Sequence, residues 1–301
     1  MKLSRQKIIH SLQFVICCIT LVVCLPACSS DEDSPLSGIE EDADGRALRQ
    51  LTISDASLTR ATIDEETLAA SWTTGDVVTY VNLSLLPDQL RSGNLTAASS
   101  TQTTLLEGNV FCREADHLAV IYPSVTPAND GSLTVDLRRQ KGTLTDVGQR
   151  FHYVFGVAEV TKVENAKATG KVSPMTSLLA LCKFTFSDGT NPIPVKELRI
   201  SYGLYGTAGY PQTGTVTLDV NSCADNVKVA TNPTTPDEKV PLTISLDAAT
   251  TEGVYVALFP MDQSSDFHFT VNDGLGNTYT GTAKAKLRAD KYYDSSLILT
   301  Q

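Results

Sequence analysis

Asp266-Phe267-His268-Phe269-Thr270-Val271 alternates polar and apolar residues with a period of two. Successive side chains of a β-strand point to opposite faces, so this period marks a strand with one buried and one wet face. The same alternation appears at Leu242-Thr-Ile-Ser-Leu246, at Leu133-Thr-Val-Asp-Leu137 and at Leu51-Thr-Ile-Ser54. Leu118-Ala-Val-Ile-Tyr122 and Val254-Tyr-Val-Ala-Leu-Phe259 are apolar throughout and read as central strands covered on both sides. Turn signals punctuate these runs at Asn129-Asp-Gly131, Ser187-Asp-Gly189, Asn272-Asp-Gly274 and Gly276-Asn277. No stretch holds a helical period for three turns, and Asp64 to Ala70 has room for one or two turns of helix. The expectation is an all-β protein of antiparallel sandwiches, because a sheet with one apolar face must bury it on another.

The amino terminus has a different character. Lys2, Arg5 and Lys7 precede an apolar run from Phe14 to Leu25, which ends in Leu25-Pro26-Ala27-Cys28. A basic start, about a dozen apolar residues and a small residue before the cut define a secretory signal peptide over residues 1–27. The run is too short to span a bilayer, which takes ~20 apolar residues. The Cys at the cut resembles a bacterial lipobox, which implies lipidation of Cys28 and a membrane tether at the first mature residue. Two or more acyl chains make such an anchor stable. Ser29-Ser-Asp-Glu-Asp33 resembles the tag that exports some lipoproteins to the outer leaflet of the outer membrane, or else is a solvated linker. Residues 28–46 as a whole are acidic, poor in apolar groups, and read as a disordered spacer.

The full chain carries a net charge of −10, and loss of Lys2, Arg5 and Lys7 makes it more negative. That balance argues against nucleic acid and against charge-driven binding to anionic lipid. After Cys28 three cysteines remain, Cys112, Cys182 and Cys223, with no CxxC to hold zinc or run redox chemistry. Either a Cys112–Cys223 or a Cys182–Cys223 bridge fits an oxidising compartment, and Cys182 in its apolar run reads as a core thiol. His117, His152 and His268 are scattered, and neither H-E-x-x-H nor G-x-S-x-G occurs, so no enzyme, cofactor or metal site is expected. Tyr202, Tyr205 and Tyr210 lie among four glycines, either as a ligand loop or as caps of a sandwich. The small, polar segment Glu164 to Ser173 offers a domain boundary, dividing a sandwich over 47–166 from one over 167–301.

A series of motifs resembles one family. Ser71-Trp72-Thr-Thr-Gly75-Asp76 is similar to the opening W-x-x-G-D motif of fimbrillin-like (Mfa-like) pilins, surface lipoproteins of Gram-negative anaerobes, and its place there implies that Trp72 is a core anchor rather than a ligand platform. Tyr122-Pro123, Phe155-Gly156 and Leu178 to Phe186 match later landmarks, with Thr176 and Ser177 where a His is usual. Tyr255 to Pro260, Asp273 to Tyr279 and Leu287 to Tyr292 match the end, with Asp290 in place of a usual Gly. The resemblance runs from about residue 50 to the end and implies two tandem transthyretin-like β-sandwiches. It implies assembly into a pilus (fimbrium) by donor-strand exchange: an arginine-specific protease cuts after the first strand, that strand leaves, and a strand of another subunit fills the groove. Leu51 and Ile53 would be inward residues of the displaceable strand, and Arg60-Ala61 the matching cut, with Arg46 and Arg49 as alternatives. Stalk subunits of the family continue well past the closing strand, whereas Gln301 follows soon after Tyr292; the resemblance therefore implies a tip or accessory subunit with adhesion as its role. A monomeric surface lipoprotein that binds a glycan or host protein is the alternative.

Overall fold

A computed structural model of the chain describes residues 39–57, 71–85, 91–203, 209–218, 229–233, 240–261 and 264–301. The expected signal peptide, Cys28, Arg60, Ala61, the helical turns expected at 64–70, Tyr205 and Cys223 lie outside the described residues. Ile39–Gln301 forms one compact unit.

Just over half of the described residues are strand and few are helical, as the period-two runs require. In the first half come β1 (Ala47–Ser57), β2 (Val77–Asn82), β3 (Ser92–Ala97), β4 (Thr103–Cys112), β5 (His117–Tyr122), β6 (Leu133–Asp136), β7 (Val154–Glu164), β8 (Lys167–Val172) and the two-residue β9 (Thr176–Ser177). Eight of these form one sheet in the order β5-β2-β3-β4-β1-β8-β7-β9. An added antiparallel pairing of β5 with β7, Leu118 opposite Ala158 and Val120 opposite Gly156, joins the sheet's ends. Seven strands thus close into a ring around a core of Leu51, Ile53, Trp72, Leu95, Leu106, Val120 and Met175, among others. Here the architecture differs from the expected open sandwich: the β5–β7 ladder leaves those two strands no edge, and closure removes the edges that a sandwich must protect.

The position 166/167 is the turn of a hairpin, with β7 and β8 antiparallel across it and Glu164 opposite Lys167. The first sheet therefore runs on to β9. A short helical turn, Leu144–Asp146, continues into a π-type turn, Val147–Phe151.

The second half comprises β10 (Ala180–Ser187), β11 (Val195–Tyr202), β12 (Thr213–Leu218), β13 (Val229–Pro233), β14 (Leu242–Thr250), β15 (Val254–Leu258), β16 (Ser265–Asn272), β17 (Thr278–Ala285) and β18 (Tyr292–Ile298). A three-stranded sheet, β15-β10-β18, faces a four-stranded one, β14-β11-β16-β17. Phe184 on β10 meets Phe269 on β16 with ring centroids 5.0 Å apart, tilted as aromatic quadrupoles prefer. A third sheet, β13-β12-β6, draws β6 out of the first half, with Val135 opposite Gly214. The core of the second half also takes Val81, Ala119, Ile121 and Phe155 from the outer face of the ring. That explains why β2 and β5 read as apolar runs: one face lines the ring and the other packs against the second half.

Candidate functional site

β1 lies between β4, antiparallel, and β8, parallel. It is not an edge strand laid on a finished sheet but one stave of the closed ring. Ala47, Arg49, Leu51 and Ile53 alternate inward, and Leu48 faces water at 63 % exposure. A bulge between Ile53 and Ala56, with Asp55 at φ 61°, then shifts the phase so that Ala56 points inward.

The slot that receives β1 is shaped by what its neighbours lack. Leu51 stands opposite Gly108 on β4 and Ala168 on β8; Ile53 stands opposite Leu106 and Gly170. A Cβ on Gly108 would come within 2.7 Å of the Asn94 carbonyl oxygen, and one on Gly170 within 2.7 Å of that of Glu159. Small residues beside Leu51 and Ile53 let backbones approach closely while the two large side chains fill the ring. Both side chains are fully buried, and each such burial stabilises by ~1.5–3 kcal/mol.

One end of β1 is fastened by charge. Arg46, 3 % exposed, donates from Nε and Nη2 to the two carboxylate oxygens of Asp116, each at 2.9 Å. Asp116 is itself buried in the β4–β5 turn and also accepts from Asn82 Nδ2 at 3.0 Å and from the Arg113 backbone N–H at 3.2 Å. This forked hydrogen bond, ahead of the opposing cost of burial, holds the Arg46 guanidinium above its ordinary pKa. Arg49, 2 % exposed, donates to the carbonyls of Cys112 and Asn165 and pairs with Glu41. Arg46 and Arg49, the alternative cut positions, are therefore buried and paired while β1 is in place. The spacer expected to run to residue 46 ends earlier: Asp42 Oδ1 accepts from the Asp44 and Arg46 N–H groups and orders a turn that feeds Arg46 inward.

The far end is fastened by Trp72, which is 1 % exposed and whose indole Nε1–H donates to the Ala56 carbonyl at 2.8 Å. Its ring meets Tyr122 edge-on at 5.6 Å. The rest of the W-x-x-G-D motif serves this placement. Gly75 adopts φ 94°, which favours Gly, and its N–H donates to Ala97 O. Asp76 Oδ2 accepts from the Thr73 N–H at 2.8 Å. Trp72 is a core anchor, as expected from its place in the motif, and its anchorage is to β1.

Among the tyrosines of the glycine-rich segment, Tyr210 is fully buried, donates from its hydroxyl to Phe259 O at 3.3 Å, and offers no stacking face to a ligand. Tyr202 packs edge-on against it at 6.0 Å and is half-buried. Cys112 and Cys182 are buried free thiols; burial pushes the Cys112 thiol up to about 11 and raises that of Cys182 further.

Sequence reasoning placed Leu51, Ile53 and Trp72 inside but missed Gly108, Ala168, Gly170, Asn82 and Asp116. The glycines carry a legible signal, since Gly inside a strand marks close backbone approach. Asp116 carries none, because an isolated Asp in a turn reads as solvated.

No family model matches the chain, and no curated protein matches it. Solved structures do. A fimbrial protein from Bacteroides ovatus shares 12 % identity at a TM-score of 0.41, over 85 % of this chain, which spans half the length of that protein. A putative cell adhesion protein from Bacteroides fragilis shares 12 % identity at a TM-score of 0.44, covering 83 % of this chain and 92 % of that one. The shaft pilin SpaA from Lactobacillus rhamnosus GG shares 7 % identity at a TM-score of 0.30, covering 83 % and 97 %. The structural neighbours of this chain are fimbrial and cell adhesion proteins of Bacteroides and shaft pilins of Gram-positive bacteria.

Proposed function

We propose that this chain is a structural subunit of a surface pilus and that β1 is its exchangeable strand. The observation that carries the proposal is the position of β1 in both senses: first of the described strands, yet internal to the ring between β4 and β8. Because it is first, one cut in the segment joining it to Trp72 leaves it held only by non-covalent contacts. Because it is internal, its departure opens a slot with an unpaired ladder on each side and an apolar floor. Such a slot is an aggregation hazard unless another strand fills it, and filling it from a neighbouring subunit is polymerisation by β-augmentation. The motif series from Trp72 to Tyr292, resembling that of fimbrillin-like pilins with two transthyretin-like halves, supports the same reading.

The cut falls after Arg60, made by an arginine-specific protease, and the mature surface form begins at Ala61. Burial of Arg46 and Arg49 supports Arg60 over those alternatives, since a protease must bind an extended, exposed segment. Before processing, the chain is held at the outer membrane by lipid on Cys28, which the leader and the residues around the cut support. Replacing Arg60 by Ala tests the processing. Expressed together with donor-bearing pilus subunits, the wild-type protein is expected to form detergent-resistant oligomers on unboiled gels with Ala61 at its amino terminus. The variant is expected to stay monomeric with its lipidated start intact, and palmitate incorporation to vanish in Cys28→Ala. Oligomers that retain β1 in its own ring would overturn the strand-exchange proposal.

A further inference from the structure

We propose that the slot occupied by β1 selects its incoming strand by charge as well as by shape, and that a replacing strand of another subunit carries two cations at one end, in the order Arg-x-x-Arg/Lys-x-apolar-x-apolar. The inference rests on strand exchange as the mode of assembly.

It follows from sorting the partners of Arg46 and Arg49 by whether they leave with β1. Asp44, Gly45 and Glu41 lie on the departing segment. Asp116, the Ser84 carbonyl, the Cys112 carbonyl and the Asn165 carbonyl belong to the ring and remain. The slot thus keeps a carboxylate and three carbonyl oxygens at the Asp116 end, all turned toward the place of two guanidinium groups. Asn82 and Arg113 still donate to Asp116, but the two contacts made by Arg46 are lost, one from each carboxylate oxygen.

A strand with suitable apolar side chains and neutral residues at these positions fills the floor but gives the buried Asp116 no forked partner, only the Arg113 guanidinium 3.7 Å away, and gives the Cys112 carbonyl no side-chain donor, while water reaches the carbonyls of the exposed Ser84 and Asn165. Buried acceptors without donors are disfavoured, and a buried carboxylate more than a carbonyl. The first position calls for Arg rather than Lys, because the contact is a two-pronged fork onto one carboxylate. The second faces separate carbonyls and accepts either cation. A strand entering in the direction of β1, antiparallel to β4 and parallel to β8, places the cations ahead of its apolar residues. The slot thereby discriminates among apolar strands of equal length, a specificity that shape alone does not give.

The test uses the full mature chain cut after Arg60 and freed of its amino-terminal fragment, with labelled synthetic peptides of residues 45–57 and binding read by fluorescence anisotropy. The native peptide is expected to enter the slot. The Arg46→Gln/Arg49→Gln peptide is expected to bind at least about tenfold more weakly, and the Leu51→Asn/Ile53→Asn peptide not to bind. Only the peptide is altered, so the fold of the acceptor is the same in every arm. If the Gln peptide matches the native one within twofold while the Asn peptide fails, charge selection is overturned and strand exchange stands. If no peptide enters, the native one included, both are overturned.

Discussion

Replacing Leu51 by alanine removes three carbons from the centre of the ring. At ~0.8 kcal/mol for each buried methylene, the transfer loss is about 2.4 kcal/mol. The cavity left behind adds more when its walls cannot move in. Leu51 is flanked across both ladders by Gly108 and Ala168, neither of which has a side chain able to fill the gap. A residual cavity of ~50 Å³ at ~24 cal/mol per Å³ contributes about 1.2 kcal/mol. The expected loss of stability is therefore about 3.6 kcal/mol. Leu48, three residues earlier on the same strand, is 63 % exposed, and its replacement by alanine is expected to change stability by about 0.5 kcal/mol or less. Guanidinium titration measures both. Trp72 is the sole tryptophan and its indole bonds to β1, so its emission follows departure of the strand, while far-UV circular dichroism follows the sheets as a whole. A loss below about 1 kcal/mol for Leu51→Ala, or equal losses for the two variants, would show that β1 is not a stave of the ring in solution. The proposal of an exchangeable strand would fall with it.

Gly170→Ala is expected to lower the melting temperature, at a cost of about 1–3 kcal/mol, because the added Cβ meets the Glu159 backbone 2.7 Å away. Asp116→Asn leaves the Arg46 charge without its buried counter-ion and is expected to cost about 3 kcal/mol in denaturant titrations, whereas Asp44→Asn, at an exposed partner, changes little. Limited trypsin digestion followed by mass spectrometry is expected to give no cut after Arg46 or Arg49 in the folded chain; early cleavage at either would contradict their burial. Burial lifts the Cys112 thiol from 9.0 to about 11, so the folded state disfavours the thiolate. The resulting stability is fully present below pH 9 and is lost as pH rises toward about 11; wild-type protein is expected to lose more stability across that window than Cys112→Ala, and equal slopes would refute the assignment.

Alternation of apolar residues at Leu51/Ile53, Leu242/Ile244/Leu246 and Phe267/Phe269/Val271 was enough to establish strands and to say which side chains face inward, because the period of a strand is a local property of its backbone. Leu51 and Ile53 were legible for that reason, and the core role of Trp72 from its place in the W-x-x-G-D motif. Phase alone could not follow the bulge at Asp55, which brings Ala56 rather than Asp55 inward.

What tertiary structure decided is which distant residues stand beside those faces. Arg46 meets Asp116 across 70 positions and Arg49 meets Asn165 across 116, so two arginines that read as exposed cut sites are buried. The pairing of β5 with β7 closes the first half into a ring, and the pairing of β6 with β12 ties it to the second half. Local sequence determines the pattern on a strand; long-range pairing determines its neighbours, since ladders form between segments whose proximity no local period encodes.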